Sequence, residues 1–178
     1  MKVTLTREEM LRRRRTAAGL DTLRSDCSIE QTDGLTVDEI LEPELRRRYL
    51  RFLDTAPVEL LAPDDLCEDA VCYPSAAGGA AIRVPLKCRR VLEVRLNGWE
   101  RSCRVQPPDK AASVMALQLN PYTAATAANP AAVLDPSRTT VLVWPATTGL
   151  IPTVSLFTAI TDPGEDFYVL DEAGIYEF

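Results

Sequence analysis

The sequence predicts an α+β protein: an N-terminal helical hairpin or small bundle followed by an antiparallel β-sandwich or open barrel. Three observations carry this. The first half holds capped segments of helical period, the second half switches to a period of two after Gly78-Gly79, and prolines punctuate that second half at short intervals. The boundaries read as a helical segment over residues 1–72 and an antiparallel β domain over residues 80–178.

Thr6 is a good N-cap and Glu9 follows three residues later, which makes a capping box. Leu5 before the cap and Met10 inside the helix add a hydrophobic staple. This helix is expected over residues 7–18, ended by Gly19. Leu35, Thr36, Glu39 and Ile40 repeat the pattern. Pro43 is expected to break or kink that second helix, because proline removes a backbone donor. Residues 44–53 resume it, with Leu45, Tyr49, Leu50 and Leu53 on one face. Residues 60–66 have room for a further short turn, and residues 73–79 read as a loop or linker.

Ala81-Ile82-Arg83-Val84 alternates, as a half-buried strand does. Residues 91–96 and 99–105 flank Asn97-Gly98, and this predicts a hairpin with a type I′ turn. Further strands are expected at residues 114–119, 139–144, 153–160 and 167–170.

Composition narrows the chemistry. At 178 residues and 46% hydrophobic, the chain can build a core without disulfides. The five cysteines, Cys27, Cys67, Cys72, Cys88 and Cys103, are odd in number and irregularly spaced, so reduced thiols are expected. The charged N-terminus is unlike a signal peptide, and no apolar run is long enough to span a bilayer as a helix. There is no histidine, which removes the commonest general base near neutral pH. No nucleophile elbow, phosphate loop or zinc spacing occurs, so no catalytic, cofactor or metal residue is assigned. The acidic cluster Asp64, Asp65, Glu68 and Asp69 lacks the glycine and the alternating oxygen ligands of a calcium loop. The net charge is −6, and residues 111–178 hold one basic residue, Arg138, against seven acidic ones.

Two arginine runs stand on the expected helices: Arg12, Arg13, Arg14 and Arg15, then Arg46, Arg47 and Arg48. They wrap too much of a helical turn to pair within one helix. They are therefore candidates for contact with another subunit, with the acidic C-terminal third as the complement. Nucleic-acid contact is the alternative use of such runs.

The β half also carries a family likeness. Val84-Pro85-Leu86 leads through residues 91–96 to Asn97-Gly98-Trp99-Glu100-Arg101. Residues 117–122, with Asn120-Pro121-Tyr122, and residues 129–134, with Asn129-Pro130, come next. This order resembles the head–tail connector or ring proteins of tailed bacteriophages and prophages. In that family a Leu-Pro entry strand and a Gly-Trp hairpin precede an Asn-Pro-Tyr segment and a strand like residues 140–144. The resemblance covers roughly residues 83–144. It implies a structural virion protein without catalytic activity, forming a homo-oligomeric ring between portal and tail proteins and assembled in the bacterial host cytoplasm. DNA would pass through the ring without sequence-specific binding. Trp99 and Tyr122 join the arginines as contact candidates. The alternatives are a cytosolic protein-binding module and a nucleic-acid-contacting protein that uses its arginine-rich helices.

Overall fold

The structure, a computed structural model, describes residues 1–20, 37–75, 79–146 and 152–178. It contains both helices and antiparallel sheets, as an α+β chain should. The chain divides into two compact units, residues 1–62 with 162–178, and residues 63–161. These differ from the sequence boundaries of 1–72 and 80–178. The reason is strand pairing: the last strand finds its partner at the extreme N-terminus rather than in the β domain.

In the first unit, β1 (Lys2–Thr6) pairs antiparallel with β10 (Phe167–Asp171). Val3 lies opposite Leu170 and Leu5 opposite Tyr168. Helix α1 (Arg7–Ala17) follows β1 directly. Its capping box forms as expected: Thr6 Oγ1 accepts from Glu9 N, and Thr6 N donates to Glu9 Oε2 at 2.8 Å. That box holds the Glu9 carboxyl below its ordinary pKa. Leu5 and Met10 of the expected staple are both buried, and Gly19 takes φ +69° just past the helix end.

Helix α2 (Val37–Thr55) runs through Pro43 as one helix, which corrects the expected break. Pro43 forgoes a hydrogen bond to the Glu39 carbonyl. Both residues are exposed, so water satisfies that carbonyl instead. The repeated capping signal at Leu35 and Thr36 lies outside the described residues. Leu45, Tyr49 and Leu53 are buried along one face of α2. Tyr49 is fully buried, and its hydroxyl donates to Val169 O at 3.1 Å and accepts from Val169 N at 2.9 Å. The phenol thus occupies the edge of β10 that β1 leaves free. Burial pushes its pKa up to about 12.

A 3₁₀ turn at Val58–Leu60 supplies the short helical turn expected near residue 60. Helix α4 (Glu172–Glu177) is capped by Asp171, which accepts from Ala173 N. Gly174 sits where a Cβ would come within 1.9 Å of the Leu60 carbonyl oxygen.

The second unit is a sandwich of two four-stranded antiparallel sheets. One sheet has the order β2 (Asp64–Asp65), β9 (Val154–Thr161), β5 (Cys88–Leu96), β6 (Cys103–Arg104). The other has the order β3 (Val71–Pro74), β4 (Ala80–Arg83), β8 (Thr140–Trp144), β7 (Ala131–Leu134). Both sheets feed one core, with Val94, Leu96 and Phe157 from the first and Ile82, Val141 and Val143 from the second. Gln106 bridges to Val133, joining the two sheets at one side. The sheets remain open rather than closing as a barrel.

Two expected elements come out differently. Residues 114–119, expected as a strand, belong to helix α3 (Ala111–Gln118). Ala, Met, Leu and Gln are good helix formers, and Val114 is the one β-branched residue there. Ala111, Val114 and Gln118 then fall at helical spacing toward the sheet, and Ala111 and Val114 pack with Val133 and Trp144 on the outer face. The Asn97-Gly98 hairpin also differs. Gly98 has φ +92°, but Asn97 stays at negative φ, so the turn closed by Trp99 N to Leu96 O at 3.1 Å is not type I′. Strand β5 takes β9 as its long partner, and β6 pairs with it only through Glu93↔Arg104 and Val94↔Cys103. Residues 95–102 form a wide connection instead of a tight one.

Among the described residues no helix is long and apolar enough to cross a membrane.

Candidate functional site

The arginines divide by what holds them. On α1, Arg15 Nη1 meets Asp38 at 2.6 Å, and Arg7 meets Glu42 at 3.0 Å. These pairs tie α1 antiparallel to α2. On α2, Arg46 meets Asp162 at 2.5 Å and lies 5.5 Å from the centre of the Tyr49 ring. Arg46 is therefore complemented by the acidic C-terminal segment of its own chain, not by that of another subunit. Arg14 is half-buried, and Arg12, Arg13, Arg47 and Arg48 remain exposed. Arg48 stands 5.5 Å from the Phe178 ring centre. The first unit as a whole carries 11 Lys and Arg against 18 Asp and Glu, and the second carries 9 against 8. The exposed arginines therefore sit in the acidic unit, which weakens any attraction to a phosphate backbone.

Trp99, a contact candidate, is a core residue instead, 5% exposed, with Nε1 donating to Pro145 O at 2.9 Å. Its ring fills the sandwich end beside Leu96, so it offers no surface.

Tyr122 is the opposite case. It is 96% exposed, and Leu119 beside it is 86% exposed. Leu117 and Met115 on α3 are 50% and 41% exposed. The loop that presents them is tied down. Asn120 Oδ1 accepts from Tyr122 N at 3.0 Å, and Thr123 Oγ1 donates to Leu117 O at 2.9 Å. Gln118 donates to Val114 O at 3.0 Å and accepts from Ala125 N at 2.9 Å. Arg101 donates to Asn129 further along. Polar side chains are thus turned onto the loop's own backbone while large apolar ones face water. A solvated loop has the reverse arrangement. Leu117, Leu119 and Met115 were not singled out from the sequence. The signal for them is that no charged residue occurs between Lys110 and Asp135.

The acidic cluster is structural. Asp65 Oδ1 accepts from Cys67 N at 3.0 Å and Phe157 N at 3.1 Å, and Asp64 accepts from Thr161 Oγ1 at 2.7 Å. Asp69 pairs with Lys87 at 2.6 Å. Among the described residues no group of three or more His, Cys, Asp or Glu side chains converges as a metal site would. Cys67, Cys72, Cys88 and Cys103 are free, half-buried thiols on the flank of the sandwich core, and burial pushes Cys88 up to about 11. Cys27 lies outside the described residues.

No protein-family model matches the chain, and no curated protein matches it at a significant level.

Proposed function

We propose that this chain is a non-catalytic structural protein that assembles with copies of itself, of the head–tail connector type of tailed bacteriophages, forming a ring between portal and tail proteins. It would assemble in the bacterial host cytoplasm and reside in the virion, with DNA passing through the ring. The observation that carries this reading is the hydrogen-bonded, uncharged loop that holds Leu119 and Tyr122 almost fully in water. Exposed apolar side chains on a pre-ordered backbone mark a surface for another protein, because the ordering entropy is already spent before docking. The segment order over residues 83–144 supports the connector class in particular. A binding module for an unrelated protein would use the same surface but stay small on its own. A nucleic-acid role is disfavoured by the acidic balance of the arginine-bearing unit.

Sedimentation velocity of the purified chain over a concentration series, at low and high salt, tests the reading. A discrete oligomer, seen as closed rings by electron microscopy, is the expected outcome. A monomer at every concentration and salt would refute self-assembly.

A further inference from the structure

The second unit carries two different exposed apolar surfaces at opposite edges of one sheet. The first is the loop tip with Leu119 and Tyr122, held beside β7 by the packing of α3 on the outer face of that sheet. The second lies at β3, the other end of the order β3-β4-β8-β7. Cys72 of β3 turns toward the core, so Val71 and Tyr73 face outward, on the side where α3 covers β7 and β8. The cross-strand row Val133, Leu142, Ala81, Tyr73 runs over that outer face. It begins buried under α3 and ends on Tyr73, 42% exposed, next to Val71 at 62%. Leu86, in the turn after β4, is fully exposed, and the neighbouring Lys87–Asp69 pair fastens that turn to the connection before β3.

We propose that the occupant of the β3 surface is a second copy of this chain: Leu119 and Tyr122 of one copy seat on Val71, Tyr73 and Leu86 of the next. This rests on the self-assembly reading above and names its interface. Three features select a second copy. A single chain supplies both a projecting apolar knob and a bare apolar sheet edge. The two do not coincide, so the contact joins unlike surfaces and repeats head to tail, a geometry that closes into a ring when the rotation permits. Finally, the knob carries no charge, and the charges nearest Leu86 are already paired as Lys87–Asp69, so docking strips water from no unpaired ion there. The β3 edge also has backbone groups free on its outer side, which a copy's loop can meet.

The test uses full-length chains. A knob variant carries Leu119→Glu and Tyr122→Glu, and a face variant carries Tyr73→Glu and Leu86→Glu. All four positions are exposed, and circular dichroism melts check that both variants fold. Each variant alone is expected to sediment as a monomer under conditions where the parent assembles. An equimolar mixture is expected to form a one-to-one heterodimer and stop, because the intact knob of one meets the intact face of the other. Assembly of either variant like the parent would overturn this interface, as would a mixture that stays monomeric while the parent assembles. A parent that never assembles would instead sink the self-assembly reading itself, and this interface with it.

Discussion

Replacing Tyr49 by phenylalanine removes one oxygen atom and leaves the ring. The ring's edge-to-face contacts with Tyr168 at 4.8 Å and Phe178 at 5.8 Å between centroids survive the change. What disappears is the pair of hydrogen bonds to Val169 N and O. No other strand stands on that edge of β10 to replace them, since the β1–β10 sheet is two-stranded. Each lost bond costs about 1 kcal/mol net, and a backbone group left buried without a partner costs about 1–3 kcal/mol. Removing a buried hydroxyl recovers part of its desolvation. The sum is a loss of about 2–3 kcal/mol, which for a chain of this length lowers Tm by roughly 5–10 °C. Calorimetry measures the shift, and amide exchange at Val169 localises it. A Tm within about 1 °C of the parent, with Val169 protection unchanged, would refute the claim that this hydroxyl stands in for a strand.

The same residue sets an alkaline dependence. An unfolded tyrosine titrates near pH 10, whereas burial holds folded Tyr49 up to about 12. Between those values the folded state binds more protons than the unfolded one. Stability therefore falls as pH rises through that window. The phenylalanine variant lacks this contribution, so the difference between the two proteins shrinks from pH 10 to pH 12.

Two further predictions concern single side chains. Gly174→Ala places a Cβ within 1.9 Å of a backbone carbonyl oxygen and is expected to cost about 3 kcal/mol or more, whereas Gly98→Ala, with φ +92° and open space around it, costs only about 1 kcal/mol in backbone strain. Urea denaturation of the two variants compares them directly, and equal losses would contradict the Leu60 contact. Arg46→Met leaves the Asp162 carboxylate without its partner, but Asp162 is a quarter exposed and Arg46 Nη1 is itself buried without a hydrogen bond. The net loss is therefore about 1–2 kcal/mol rather than that of a fully buried pair, and exchanging the charges as Arg46→Glu with Asp162→Lys is expected to restore part of it; a double variant no more stable than Arg46→Glu alone would argue against the pair.

Local signals were legible where the interaction that satisfies them is local. The Thr6–Glu9 capping box needs only its own first turn, and it formed as read. Strands β8, β9 and β10 fall where runs of β-branched and aromatic residues place them. The failures all involve a distant partner. Nothing in residues 2–6 announces a strand, because its pairing and its inward rows are completed by Tyr168 and Leu170 at the far end of the chain. The Asn97-Gly98 turn met its glycine requirement, but competition from β9 for the edge of β5 decided the register. Residues 114–119 became helix because Ala111 and Val114 find Val133 and Trp144 beneath them. Of the two aromatic contact candidates, sequence supplied the residue type but not the exposure. Trp99 turned inward to a carbonyl at Pro145, and Tyr122 turned out because Asn120 holds its backbone.

The charge pattern shows how the same residues change meaning once the chain is folded. Along the sequence, basic runs near the start and an acidic final third look like two halves of a contact between subunits. In the fold, residues 162–178 return to the N-terminal unit through β1 and β10, and Asp162 meets Arg46 there. Arg7 and Arg15 are likewise paired within the helical hairpin by Glu42 and Asp38. Electrostatic complementarity is thus largely consumed in building one chain. The surfaces left for a second copy are apolar: Leu119 and Tyr122 on one edge, Val71, Tyr73 and Leu86 on the other. An interface of charges weakens as salt screens it, whereas burial of apolar surface does not. Assembly that persists at high salt therefore fits this interface, and assembly that dissolves as salt rises would return the exposed arginines Arg12, Arg13, Arg47 and Arg48 to the centre of the argument.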